Sequence, residues 1–139
     1  MRPEDFDHVG YWTEIKLDIV KDYARAYSVI LSKQKNPSLH HVYIDAFSGP
    51  GVHISRSTGD FILGSPLNAL LVEPPFKEFF FIDLDRDKVQ HLQEMVGDCP
   101  DVHIYEGDCN QILPYEIFPR VRWEDYRRAL CLLIPMGFI

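Results

Sequence analysis

Four apolar runs set the pattern of this chain, and the first three end at or near an aspartate. His41-Val42-Tyr43-Ile44 reaches Asp45, Phe79-Phe80-Phe81-Ile82 reaches Asp83, and Val102-His103-Ile104-Tyr105 is followed within three residues by Asp108. Their β-branched and aromatic residues prefer a pleated, buried backbone, so each run predicts a strand. Arg128-Ala129-Leu130-Cys131-Leu132-Leu133-Ile134 predicts a fully apolar central strand ending at Pro135. Behind the first strand, Ala46-Phe47-Ser48-Gly49-Pro50-Gly51 is a turn in which the glycines can take positive φ and admit a ligand to the backbone.

Between the runs the pattern changes to helical spacing. Met1 to Gly10 carries no periodicity and reads as irregular, whereas Ile15, Ile19, Val20, Tyr23, Tyr27, Ile30 and Leu31 recur at three- and four-residue steps. They predict an amphipathic helix over 12–32 with Thr13 as N-cap. Residues 52–63 read as a loop; Ser65-Pro66 then opens a helix to about Val72, with Ser65 as N-cap and Glu73-Pro74-Pro75 as its stop. Asp85 is placed to cap a third helix whose Val89, Leu92, Met95 and Val96 face the sheet, with Gly97 closing it. Gln111 to Phe118 is weakly helical at best because Pro114 interrupts it. Strands alternating with helices predict an α/β fold with an open parallel sheet, in one domain spanning 1–139, the helix at 12–32 preceding a sheet portion at 41–139.

Composition narrows the function classes. The 139 residues are 46% hydrophobic, enough for one core, and no apolar run approaches the roughly 18 residues of a membrane span. The polar start lacks a secretory core, and three cysteines without Cys-x-x-Cys spacing fit a reducing compartment, so a cytoplasmic protein is expected. A net charge of −7 argues against broad nucleic-acid binding; Arg120, Arg122, Arg127 and Arg128 read as a solvated basic loop.

The candidate chemistry lies at the carboxyl ends of the strands, where open parallel sheets bind ligands. Asp45, Asp83 and Asp108 at adjacent strand ends place negative potential in one cleft. A pyrophosphate would be repelled there, and the long loop at 52–63 displaces the helix amides that offset that repulsion in dinucleotide folds. A cationic adenosyl compound suits the acids better, and S-adenosylmethionine has the sulfonium, ammonium, ribose hydroxyls and adenine amine required. His91, Cys99, His103 and Cys109 match no zinc spacing, no metal is expected, and Asp108 beside Cys109 opposes a thiolate nucleophile. No phosphate-binding Gly-x-x-x-x-Gly-Lys motif occurs.

Trp12-Thr13-Glu14-Ile15-Lys16-Leu17, Tyr43-Ile44-Asp45-Ala46-Phe47-Ser48-Gly49-Pro50-Gly51, Gly64-Ser65-Pro66-Leu67 and Gly107-Asp108-Cys109-Asn110 together resemble the three-Cys-motif partner proteins of prokaryotes. The resemblance covers about Thr13 to Leu133 and implies a Rossmann-like, class I methyltransferase fold, with its four strands in the spatial order 3-2-1-4. It also implies that Asp45, Gly49 and Gly51 surround the methionine portion of S-adenosylmethionine, with Phe47 among the cofactor-binding residues. Asp83 would bond the ribose, and Asp108, with Cys109 beside it, the adenine amine, while Thr13 and Lys16 close over the cofactor. The partners implied are an unknown methyl acceptor and a three-Cys-motif protein. Where the family has an acid followed by proline after the fourth strand, this chain has Ile134-Pro135-Met136-Gly137, which reads as a truncated sheet and bears on catalysis more than on binding. Two other classes stand beside methyl transfer: a non-catalytic scaffold self-associating through the fourth-strand edge, and an NAD-dependent oxidoreductase.

Overall fold

The computed structural model describes residues 7–134. The irregular start expected at 1–6 and the Pro135-Met136-Gly137 segment lie outside the described residues. The chain is α/β: a four-stranded parallel sheet flanked by helices, an arrangement compatible with a Rossmann-like fold.

Seven strands are described, three more than the pattern predicts. They are β1 (Asp7–Val9), β2 (His40–Asp45), β3 (Val52–Ser55), β4 (Phe61–Leu63), β5 (Glu78–Asp83), β6 (Val102–Glu106) and β7 (Arg127–Leu132). Numbered in this way, the main sheet runs β6-β5-β2-β7, and a small second sheet runs β1-β3-β4. The second sheet corrects two expectations. Asp7–Val9 lies parallel to β3 instead of being irregular, and 52–63 forms an antiparallel hairpin instead of a plain loop.

The helices are α1 (Tyr11–Ser32), α2 (Ser65–Leu70), α3 (Arg86–Val96) and α4 (Cys109–Ile112). The N-cap of α1 is Gly10, whose carbonyl accepts from the Glu14 amide at 3.2 Å, so Thr13 is a buried residue inside the helix and not its cap. Its buried face is Thr13, Leu17, Val20, Ala24 and Ser28. Small and short polar residues on that line let the helix lie close to the sheet, and Ile19, Tyr23 and Ile30 of the expected apolar stripe are exposed. Likewise α2 is capped by Gly64, and Ser65 is its first residue. Asp85 does cap α3, accepting from the Asp87 amide at 2.9 Å, and Gly97 ends the helix at φ 71°. Val89 and Leu92 are buried as expected, but Met95 is exposed. After α4 the chain continues as a π-helical turn, Leu113–Ile117. Pro114 has no amide to give, and the wider turn accommodates its ring.

Side chains alternate across the main sheet and divide the core in two. Tyr43, Phe79 and Phe81 pack with Ala24 of α1, Ala69 of α2 and Leu92 of α3. Val42, Ile44, Phe80 and Ile82 pack with Ile112, Leu113 and Ile117 on the other side. β7 is an edge of this sheet among the described residues, half-buried along its length, not the central strand its composition predicts.

At the amino edge of the sheet, Glu78 is a hub. Its Oε1 meets His40 Nε2 and the Arg127 guanidinium, both at 3.2 Å, and its Oε2 meets His103 Nε2 at 2.6 Å and Arg120 at 3.5 Å. Arg122 pairs with Glu124 at 3.4 Å, and the Arg128 guanidinium lies 3.3 Å from the Trp123 ring centroid. The arginine cluster is therefore largely engaged within the fold, and two of its members anchor the sheet. No helix among the described residues is long and apolar enough to cross a membrane.

Candidate functional site

Asp45 ends β2 and is fully buried. Ser65 Oγ at the start of α2 donates to Asp45 Oδ2, and the Phe47 amide donates to Oδ1 at 3.1 Å. Loss of water raises its pKa from 3.8 to about 6; the Ser65 and Phe47 hydrogen bonds restrain the rise, and nearby Asp83 adds to it. Tyr43, buried on the same face of β2, has its hydroxyl pushed up first by burial and then by the Asp45 charge. That hydroxyl meets no partner at hydrogen-bonding geometry among the described residues.

Asp83 ends β5 and is held from two sides. The Gly49 amide donates to Oδ2 and the Asp85 amide to Oδ1, each at 2.9 Å. Backbone bonds reinforce the junction: the Ser48 amide donates to the Ile82 carbonyl at 2.9 Å, and the Gly107 amide to the Asp83 carbonyl at 3.0 Å. The turn after β2 is thereby fixed against the ends of β5 and β6. Gly49 and Gly51 both have positive φ, 71° and 94°. At Gly51 a Cβ would also come within 3.0 Å of Leu92 Cδ1, so that glycine serves packing beneath the turn.

Asp108 caps α4, its Oδ1 accepting from the Asn110 amide at 2.9 Å. Its position as a helix cap follows from local chemistry alone. The carboxylate is nonetheless exposed on the wall of a cleft of about 220 Å³ at the carboxyl edge of the sheet. Four of the expected residues, Phe47, Asp83, Asp108 and Cys109, line that cleft together. Ala46, Leu84, Gly107 and Asn110 line it as well; they flank the expected acids and could have been found by following each strand end one residue further. Asp45 lies under the Phe47 turn, and Gly49 reaches the cleft through its bond to Asp83. Gly51, Thr13 and Lys16 are not among the lining residues; Gly51 and Thr13 are buried in the packing.

The hairpin at 52–63 does not carry α2 away from the glycine turn. The Gly64 amide donates to the Gly51 carbonyl at 2.6 Å, so the chain leaves at Gly51 and returns beside it. The expectation of displaced helix amides is corrected: α2 begins beside the glycine turn. The Gly64 N–H is spent on Gly51, Pro66 has none, and the Ser65 hydroxyl is turned inward to Asp45.

No group of three His, Cys, Asp or Glu side chains placed to hold a metal ion occurs among the described residues. His103 is bonded to Glu78, and burial is the largest cause lifting the Cys131 thiol to about 11. No family model, curated protein or solved structure matches the chain.

Proposed function

We propose that the carboxyl-edge cleft binds the adenosyl part of S-adenosylmethionine, and that the chain is a class I methyltransferase-like protein of the three-Cys-motif partner kind. The supporting observation is the convergence of Asp83, Asp108 and Phe47 on one cleft. Asp83 is fixed by one amide on each oxygen, and each carboxylate oxygen keeps a further lone pair for a ribose hydroxyl. Asp108 spends Oδ1 on its cap and has Oδ2 for an adenine amine. The Phe47 ring offers an apolar wall to a nucleoside.

Size agrees with a partial occupant. At about 220 Å³ the cleft is smaller than the roughly 300–1,000 Å³ of pockets that enclose a whole ligand. It suits a nucleoside, with the methionine end lying toward the turn at 46–49. Asp45 supports that turn through the Phe47 amide and does not itself line the cleft.

Bound S-adenosylmethionine supplies an activated methyl group on a sulfonium. The chain's own residues would contribute orientation, which accounts for much of the acceleration in a displacement that needs donor and acceptor aligned.

Calorimetric titration of the chain with S-adenosylmethionine and S-adenosylhomocysteine tests the reading. Saturable binding that Asp83→Asn weakens at least about tenfold is expected, since a ribose acceptor of the right charge is lost. Binding of NAD in preference to either adenosyl compound, or equal affinity in the variant, overturns it.

A further inference from the structure

His53 stands on β3 and is 5% exposed, a polar ring in a strand whose every residue is buried. β3 is the middle strand of the second sheet, with His53 opposite Asp7 of β1 and Ile62 of β4. Two residues on, Ser55 Oγ donates to Glu14 Oε2 at 3.1 Å and ties the strand to α1. The ring is therefore carried by backbone held from three directions, the kind of rigid element that can place its neighbours.

The outer edge of that ring faces two glycines from different segments. A Cβ on Gly49 would stand 3.6 Å from His53 Cε1 and 3.9 Å from Nε2, and a Cβ on Gly64 would stand 2.8 Å from Nε2 and 3.1 Å from Cδ2. Gly64 has a φ of −74°, which any residue can adopt, so its backbone does not call for glycine. The room does: the imidazole, with the Gly51 carbonyl 3.1 Å from the same point, fills the space a side chain needs. The flat ring is thus the spacer between the turn after β2 and the start of α2.

Both segments lead on to the cleft. Gly49 donates its amide to Asp83 Oδ2, and Asp83 lines the cleft. Beside Gly64, Ser65 donates to Asp45, whose Oδ1 takes the amide of Phe47, a second lining residue. His53 itself is not among the lining residues, so whatever it does there it does through these neighbours.

We propose that His53 is the positioning residue of the carboxyl-edge cleft: its ring fixes the separation of the glycine turn from α2, and through them the places of Asp83 and Phe47. The spacing stands by itself, whereas its service to a ligand rests on the adenosyl reading above.

Amide hydrogen exchange on the isotope-labelled full chain without ligand, followed by magnetic resonance, reads the spacing at the Gly49 N–H. His53→Ala is expected to speed exchange at Gly49 at least about tenfold more than at Ile44 and Phe80, whose amides lie in the paired strands β2 and β5 and report opening of the whole sheet. His53→Gln, whose side-chain nitrogen reaches the place of Nε2, is expected to restore most of that protection. Gly64→Ala keeps the imidazole but displaces it, so the same selective loss at Gly49 is expected, and this variant carries the test if His53→Ala does not fold. In calorimetry, His53→Ala is expected to weaken S-adenosylhomocysteine binding at least about tenfold and His53→Gln to recover it. Exchange at Gly49 that speeds no more than at Ile44 and Phe80 in the folded variants overturns the proposal. A selective loss at Gly49 in a chain that binds no S-adenosylhomocysteine in any form supports the spacing and overturns the adenosyl reading instead.

Discussion

The Gly49 amide donates to Asp83 Oδ2 at 2.9 Å, which laces the glycine turn after β2 to the acid at the end of β5. The second oxygen of Asp83 takes the Asp85 amide at the same distance, just ahead of α3. Asp83→Asn turns one acceptor into a donor facing an N–H. We predict a stability loss of about 1–3 kcal/mol, separate from any loss of ligand affinity, measured by urea unfolding without ligand. A variant as stable as the parent would show that the turn does not rely on this lacing.

Asp45 makes stability depend on pH in an unusual direction for an aspartate. Its folded value of about 6 lies above the ordinary 3.8, so the folded chain holds a proton that the unfolded chain releases. The contribution is fully present below about 3.8 and is lost as pH rises through about 6. Asp45→Asn removes this dependence. Its stability relative to the parent is expected to climb between those limits, read from urea midpoints across the range.

His41 works in the opposite sense. It is fully buried, its Nε2 is 2.8 Å from Ser28 Oγ, and Ser28 donates to the Pro74 carbonyl, so the imidazole is the donor to Ser28. Burial first, then Lys77 and His40, lower its pKa below 6.5. Stability from the neutral ring is full above 6.5 and is lost as pH falls through the lowered folded value. Ser28→Ala leaves the imidazole N–H without its acceptor and should cost about 1–3 kcal/mol. In proton titrations followed by magnetic resonance, His41 should titrate below the ordinary imidazole range.

Glu78→Gln tests the hub at the sheet's amino edge. Burial alone would raise the Glu78 pKa, but the hydrogen bonds from His103 and His40, with the charges of His103 and Arg120, outweigh it and lower the value below 4.5. Its contribution is therefore present above 4.5 and lost as pH falls through the lowered value. Because Arg120, Arg127 and both histidines are partly exposed, the loss should be modest, about 1–2 kcal/mol at low salt. It should shrink as salt is added. A salt-independent loss would assign the effect to packing instead.

The four strands of the main sheet were legible because each is a short apolar run stopped by an acid or a turn, a signal that needs no tertiary information. Asp85 and Gly97 were legible for the same reason, since a cap and a left-handed stop act on neighbouring backbone. Ser65 was misread because its hydroxyl had two possible partners, and the buried Asp45 twenty positions away outcompeted the local amides. The hairpin was missed because Val52–Ser55 and Phe61–Leu63 are four and three residues long, too short for their patterns to separate a strand from a loop. Glu78 is invisible as a hub in the sequence, where its four partners are scattered over 40–127 and only strand pairing gathers them. Of the site, the acids were legible. That Asp45 supports the turn while Asp83 and Asp108 face the cleft depends on packing.

The bond from the Gly64 amide to the Gly51 carbonyl closes the base of the 52–63 hairpin. The arms of the hairpin are held independently of that bond, because β3 pairs with β1 and Ser55 bonds Glu14, whereas its tip at 56–60 is exposed. Changes of length are thus tolerated best at that tip, with the strand before and the helix after it anchored at Gly51 and Gly64.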